Sequence, residues 1–171
     1  MPATATIDPD AVSAAGLLAA LSDAKYVEND AAARALETAV AWAEMHPASS
    51  IEDAATVWEG RYGDTGIPVA GPGAPLIAEF SVVEFAAALG VPTEVGKQFL
   101  GHAVELAHRL PRVWARVVAR DLPAWRARRV AHATTHLSPE AAAFVDRHIG
   151  PVAHKTGPAQ LDRLIDEAIA R

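Results

Sequence analysis

The sequence contains no cysteine, few aromatic residues and a single asparagine, Asn29. Without cysteine, the chain can form no disulfide framework, no thiolate nucleophile and no cysteine-based zinc site. No run of about eighteen apolar residues is present, and acids interrupt the N-terminal stretch that a signal peptide would need. We therefore expect a cytoplasmic protein without a membrane partner. Abundant alanine and leucine, with no long period-two alternation, predict an all-α fold.

Capping residues, glycines and prolines divide the chain into about seven helices. We expect a first helix over 10–21 and a second that Asn29 caps and that ends at Met45. A short helix over 51–58 is a further candidate. The next helices are expected at 82–89 after the Ser81 cap and at 94–109 after the Thr93 cap. At Pro111 either a new helix begins or the same helix is kinked. Further helices are expected from Pro123 to about Thr135, from Ser138 to Gly150, and from Gly157 onward.

Glycine and proline crowd the stretch from 60 to 75, which predicts an irregular connector. The residues are Gly60, Gly63, Gly66, Gly71, Gly73, Pro68, Pro72 and Pro75. We expect an acidic helical segment over 1–59, this connector over 60–75, and a basic helical segment over 76–171, all within a single domain.

Charge is distributed unevenly along the chain. Residues 1–100 carry four Lys and Arg against fourteen Asp and Glu, a balance of −10, whereas residues 101–171 carry eleven against seven, a balance of +4. Seven of the twelve arginines lie between 109 and 129. They are Arg109, Arg112, Arg116, Arg120, Arg126, Arg128 and Arg129. Local charge of this kind favours a phosphate backbone as partner, although the whole chain is acidic.

The first four of these arginines have spacings of three, four and four residues. On one continuous helix they would fall within an arc of roughly 80°. This arginine stripe (Arg109, Arg112, Arg116 and Arg120) has three interpretations: a solvated helix face, a nucleic-acid-facing surface, or ion pairing with the acidic first hundred residues. Trp114 and Trp125 lie beside the arginines. An arginine near an exposed aromatic residue can grip a nucleic-acid backbone or stack with bases. The alternative, which we expect, is that both tryptophans lie in the core, because tryptophan is highly buried on average.

The stretch from Phe85 to Phe99 fits a helix-turn-helix template, with the corner near 82–109. Such a motif needs a small residue in its first helix, a glycine in the turn and a polar cap on the second helix. Ala86, Gly90 and Thr93 fill these positions, whereas Gly96 stands where an aliphatic residue is expected. Lys97 and Gln98 would be the groove-facing side chains. An ordinary helical corner is the alternative.

Three segments carry a resemblance to an actinobacterial family known as domain of unknown function 222, or the 13E12 repeat family. They are "ELAHRLP", "PAWRARRVAHAT" and "LSPEAAAFVD", within a resemblance that covers roughly residues 15–171. Members of this family usually continue into a C-terminal HNH endonuclease domain, which implies DNA as the eventual substrate. The resemblance implies a helical module without established activity of its own.

No enzyme active site, metal site or cofactor is expected. HNH chemistry needs two histidines and an asparagine in a ββα setting, and the only asparagine lies near the N-terminus. His132 and His136 are four residues apart, but Ala133 stands where a zinc protease has glutamate. The serines lack a nucleophile-elbow context. We therefore expect a non-catalytic module that binds DNA through its arginines. The alternative is a protein-interaction or self-association module, or a family remnant, whose basic helix pairs with an acidic surface.

Overall fold

The computed structural model describes residues 13–51 and 64–170, and helices dominate it. Its seven α-helices are α1 (Ala14–Met45), α2 (Glu79–Leu89), α3 (Thr93–Arg109), α4 (Pro111–Val118), α5 (Ala124–Thr134), α6 (Pro139–Ile149) and α7 (Pro158–Ile169). A 3₁₀ turn, Ala48–Ile51, follows α1. The prediction of an all-α fold with about seven helices is confirmed. No helix within these two ranges is long and apolar enough to cross a membrane.

The two N-terminal helices of the prediction are one helix of 32 residues, α1. Ser13 caps it, and its hydroxyl oxygen accepts from the Gly16 amide at 3.2 Å. Asn29 lies within the helix, so its assignment as a cap was wrong. The capping preference of asparagine is local, and it is outweighed here because the C-terminal half of one continuous helix packs on the core. Residues 52–58 of the short predicted helix lie outside the described ranges.

Several helix ends follow the local chemistry of the sequence. Gly90 ends α2 in the left-handed conformation with φ 72°, where a side chain would be strained. Ser138 caps α6 through the Ala141 amide at 3.2 Å, and Pro158 stands at the start of α7 after Gly157. Two predicted caps were wrong. α3 begins with Thr93, Pro92 holds the cap position, and no side chain caps the helix. α2 begins at Glu79, so Ser81 lies inside it, and its hydroxyl donates to the Ala78 carbonyl oxygen at 2.7 Å.

One strand of a small antiparallel ribbon, Gly66–Ile67 (β1), lies in the connector, and it pairs with Ile77–Ala78 (β2) just after it. A Cβ added at Gly101 of α3 would lie 2.1 Å from the Val69 carbonyl oxygen, so only glycine permits this approach. Ile67 and Val69 are partly buried against the hydrophobic core. The described part of the connector, residues 64–75, therefore packs against the helices and is not a loose linker.

The hydrophobic core joins the acidic and the basic segment. α3 is its central helix, with Leu100, Ala103, Val104 and Leu106 fully buried. Leu36 and its neighbours from the second half of α1 belong to the same cluster, as does Leu161 of α7. Because α1 packs on α3, the two segments of opposite charge share one core.

Candidate nucleic-acid interface

The arginine stripe does not lie on a single helix. α3 ends at Arg109, Leu110 separates it from α4, and α4 begins at Pro111. Arg120 lies beyond the end of α4 in the left-handed conformation, with φ 65°. The arc of roughly 80° expected for the stripe required one continuous helix. The proline and the left-handed residue break that continuity, so this prediction was wrong.

Arg109 lies inside the protein, which corrects its assignment to a nucleic-acid-binding surface. Its side chain is 4% exposed, and its Nη1 forms an ion pair with Glu105 Oε1 at 2.6 Å. It also donates to the carbonyl oxygens of Thr134 (3.1 Å) and Leu137 (2.6 Å). The other Glu105 oxygen accepts from the Gly71 amide at 3.0 Å. This buried ion pair ties α3, α5 and the connector together.

Arg120 pairs with the acidic segment, as one of the three interpretations of the stripe expected. Its Nε donates to Asp30 Oδ1 at 2.8 Å, and its guanidinium also binds Glu37, both on α1. The Arg120 guanidinium lowers the pKa of Asp30 below its usual value. Arg120 therefore holds α1 against the end of α4.

Two further arginines have carboxylate partners. Arg116 Nη1 lies 3.1 Å from Asp121 Oδ2. Arg129 binds Asp162 of α7 through two hydrogen bonds of 2.8 and 2.6 Å. Among the residues described, no carboxylate lies within ion-pair distance of the remaining three predicted arginines, Arg112, Arg126 and Arg128. These three are the predicted arginines whose charge no neighbouring carboxylate in the described ranges neutralises.

The predicted helix-turn-helix corner exists as α2, the turn at Gly90, and α3. Gly96 departs from the template because the helices approach closely: an added Cβ would lie 2.4 Å from the Ala86 Cβ. Gln98 is exposed and Lys97 half-buried, as groove-facing residues would be. The corner is acidic, however, since residues 79–98 carry Glu79, Glu84 and Glu94 against Lys97 alone, a balance of −2. Its charge does not favour a phosphate backbone.

An open cleft of about 580 Å³ lies between α3, α5 and α7. It brings together three predicted site residues from two parts of the sequence, Gln98 of α3 and the adjacent Arg128 and Arg129 of α5. The volume falls within the roughly 300–1,000 Å³ of pockets that hold small organic ligands. Its other lining residues are His102, Trp125, His132, Ala133, Asp162, Ile165 and Asp166.

Arg128 enters the cleft as a half-buried cation. Its guanidinium carbon lies 4.7 Å from the centroid of the Phe99 ring, and its Nε donates to His102 Nδ1 at 3.3 Å. Burial lowers the pKa of Arg128, which remains a cation. A desolvated cation without a counter-ion is costly unless an anion neutralises it.

His102 forms the floor of the cleft beneath Arg128. It is 8% exposed, and its ring meets that of His132 edge to face, with centroids 5.7 Å apart. Burial is the largest cause, followed by electrostatic interactions with Arg128 and with His132, and together they lower the pKa of His102 to about 4. The ring is therefore neutral at physiological pH, and since its Nδ1 accepts from Arg128, its proton lies on Nε2.

Trp125 lines the cleft and is 43% exposed, so its prediction as a core residue was wrong. Trp114 is half-buried and packs against the core, as expected. The Arg126 guanidinium lies 5.3 Å from the Trp125 ring centroid, and its Nη1 donates to the Thr156 carbonyl oxygen at 2.8 Å. An exposed indole flanked by guanidinium groups can stack with planar ligands.

Sequence reasoning missed His102 and placed Trp125 in the core, although a signal for the cleft exists. Trp125, Arg128, Arg129 and His132 have the spacing i, i+3, i+4 and i+7, which marks one face of α5. His132 and His136 form no metal site with neighbouring carboxylates: within 13–51 and 64–170, no group of three or more ligand residues is close enough to hold an ion.

A second exposed surface lies on the first half of α1. Leu18 is 69% exposed and Leu21 67%, while Leu17, Tyr26 and Val27 are also exposed. The buried residues of this helix begin only at Ala33. An apolar helix face of this kind is typical of a surface that binds a partner helix.

Comparison with known proteins adds no assignment, because no protein-family model, no curated protein and no solved structure matches this chain.

Proposed function

We propose that this chain is a non-catalytic helical module that binds nucleic acid in the cleft between α3, α5 and α7. The carrying observation is the juxtaposition of an exposed indole, Trp125, with a half-buried cation, Arg128, that has no carboxylate partner among the residues described. This pair of groups suits a ligand that contains both a planar base and a phosphate. The resemblance to helical domains that precede HNH endonuclease domains supports DNA as the natural form of that ligand.

The proposed phosphate-binding cation is Arg128 in the cleft, and not the arginine stripe. Arg109 and Arg120 stabilise the fold, and Arg116 has an adjacent acid. Arg128, by contrast, is placed beside the polar Gln98 and the aromatic Trp125. The expected site is therefore small and local, and it contains only part of the predicted set of arginines.

The experiment is fluorescence anisotropy with labelled DNA in single-stranded and duplex form. Arg128→Gln is expected to raise Kd about tenfold or more, because a charge-assisted hydrogen bond to phosphate is lost. Arg147→Gln is the matched control, since it removes the same charge from an exposed position of α6. Circular dichroism checks that both variants remain folded. Absence of binding by the parent to either form, or equal loss in both variants, would refute the proposal.

The exposed leucines of α1 favour a second candidate, a protein-interaction or self-association module. Leu18 and Leu21 are neighbours on one helical face and would be covered by a partner helix. Sedimentation over a range of concentrations tests self-association: the parent should dimerise, and Leu18→Glu/Leu21→Glu should not. Val83→Glu, on an exposed position of α2, is the control. A parent that stays monomeric at every concentration would eliminate self-association.

A further inference from the structure

The cleft is electrically balanced despite its arginines. Arg128 and Arg129 contribute two positive charges and Asp162 and Asp166 two negative ones, and the second lining histidine, His132, is counted as neutral. His102 adds no charge, because burial holds its pKa well below neutrality. A neutral surface exerts little long-range attraction on a polyanion. Affinity for nucleic acid must then come from short-range contacts, which means stacking and one or two hydrogen-bonded phosphates.

The two arginines of the cleft are not equivalent. Arg129 is neutralised by its paired hydrogen bonds to Asp162, whereas the hydrogen-bond and cation–π partners of Arg128 within the residues described are the neutral His102 ring and the Phe99 ring. Arg128 is therefore the arginine of the cleft that has no hydrogen-bonded carboxylate among these residues. Its one positive charge can neutralise the one negative charge of a single phosphate diester, but not the charge of a stretch of backbone.

The aromatic contact selects against duplex DNA. A ring can stack on Trp125 only if the ring is not already stacked between base pairs, so a paired base would first have to leave its helix.

We infer that the cleft holds one unpaired nucleotide of a single strand, with the base against Trp125 and the phosphate at Arg128. This inference rests on the proposed function and specifies its ligand class. It assigns Trp125 to ligand binding and treats the α2–α3 corner as a structural element that does not enter a duplex groove.

The test measures binding of the full chain to a short oligothymidylate, to a duplex of the same length, and to thymidine monophosphate. The single strand is expected to bind at least tenfold more tightly than the duplex. Its log K should fall with log salt at a slope of about −0.7 to −1.4, which corresponds to one or two phosphates. Seven phosphate-binding arginines would instead give a slope of about −5.

Three tryptophan variants assign the stacking contact. Trp125→Ala is expected to raise Kd for the single strand by about 5- to 100-fold, the range seen when a stacking side chain is lost. Quenching of tryptophan fluorescence by the strand should disappear in Trp125→Phe and persist in Trp114→Phe, whose altered residue lies outside the cleft. Because Trp125 is exposed, both variants at this position should keep the helical circular dichroism of the parent.

The possible failures can be distinguished. Tighter binding of duplex than of single strand, with a slope steeper than about −3, would overturn the inference and leave nucleic-acid binding in place. Thymidine monophosphate that binds as tightly as the strand would also overturn it, since the ligand would then be a free nucleotide. Binding of none of the three probes would refute the proposed function itself.

Discussion

Replacing Arg109 with methionine removes the cation from the buried ion pair at the centre of the fold. The substitution removes the ion pair with Glu105 and the hydrogen bonds to the carbonyl oxygens of Thr134, at the end of α5, and Leu137, in the turn that follows. Glu105, which is 0% exposed, then keeps only the Thr134 hydroxyl and the Gly71 amide as donors. Breaking a buried pair in this way costs about 3–5 kcal/mol. Because two donors remain, we expect a loss near 3 kcal/mol.

Urea unfolding followed by circular dichroism measures this loss. Glu105→Gln/Arg109→Met is expected to recover roughly 1–2 kcal/mol relative to Arg109→Met, since no unpaired charge is then buried. Arg112→Met is the control, because this side chain is exposed and should change stability by no more than about 0.5 kcal/mol. A loss below about 1 kcal/mol for Arg109→Met would refute the assignment of Arg109 to the core.

Three further predictions concern single positions. The free energy of unfolding should fall by about 2 kcal/mol between pH 7 and pH 5 because of His102. The pKa of His102 is about 4 in the folded protein and higher in the unfolded chain, so the unfolded chain binds the proton first as the pH falls. Urea unfolding of His102→Gln should lack this pH dependence. Arg120→Gly should be about 1 kcal/mol more stable in thermal or urea unfolding than Arg120→Ala, since both lose the ion pairs but only glycine accepts φ 65° freely. Gly101→Ala should destabilise by about 2 kcal/mol or more, because its Cβ would overlap the Val69 carbonyl; equal stability to the parent would contradict the close approach of the connector.

The all-α class and several helix ends could be predicted because their causes are local. The Ser138 cap, the left-handed Gly90 and the Gly157-Pro158 start depend on residues within one turn of the boundary. The division of α1 at Asn29 failed for the opposite reason. A helix of 32 residues is stabilised by packing of its C-terminal half, which a local capping preference does not report.

The ion-pair partners of the arginines could not be predicted, because they lie far away in the sequence. Arg120 meets Glu37, 83 residues earlier, and Arg129 meets Asp162, 33 residues later. The charge balance of the two segments indicated that arginines of the basic segment could pair with acids of the acidic segment. It could not predict which residues would form the pairs. At Pro111 the sequence left open whether a new helix begins or one helix is kinked, and the new helix that begins there removes the continuous arginine face.

The cleft was only partly predictable. Helical spacing alone places Trp125, Arg128 and His132 on one face of α5. That Gln98 and His102 of α3 stand opposite this face, with Asp162 of α7 beside it, follows from tertiary packing. Average burial of tryptophan pointed to the core for Trp125, but Trp125 lies on the exposed face of α5, opposite the residues that this helix buries.

The position of the nucleic-acid site is tested most directly by two substitutions of equal charge, measured on one labelled single strand. Arg128→Gln removes a cation from the cleft, and Arg112→Gln removes one from the arginine stripe on α4. We predict that Arg128→Gln raises Kd about tenfold or more, while Arg112→Gln changes it by less than about twofold. A large loss of affinity in Arg112→Gln, with Arg128→Gln binding like the parent, would contradict the cleft and restore the stripe as the binding surface.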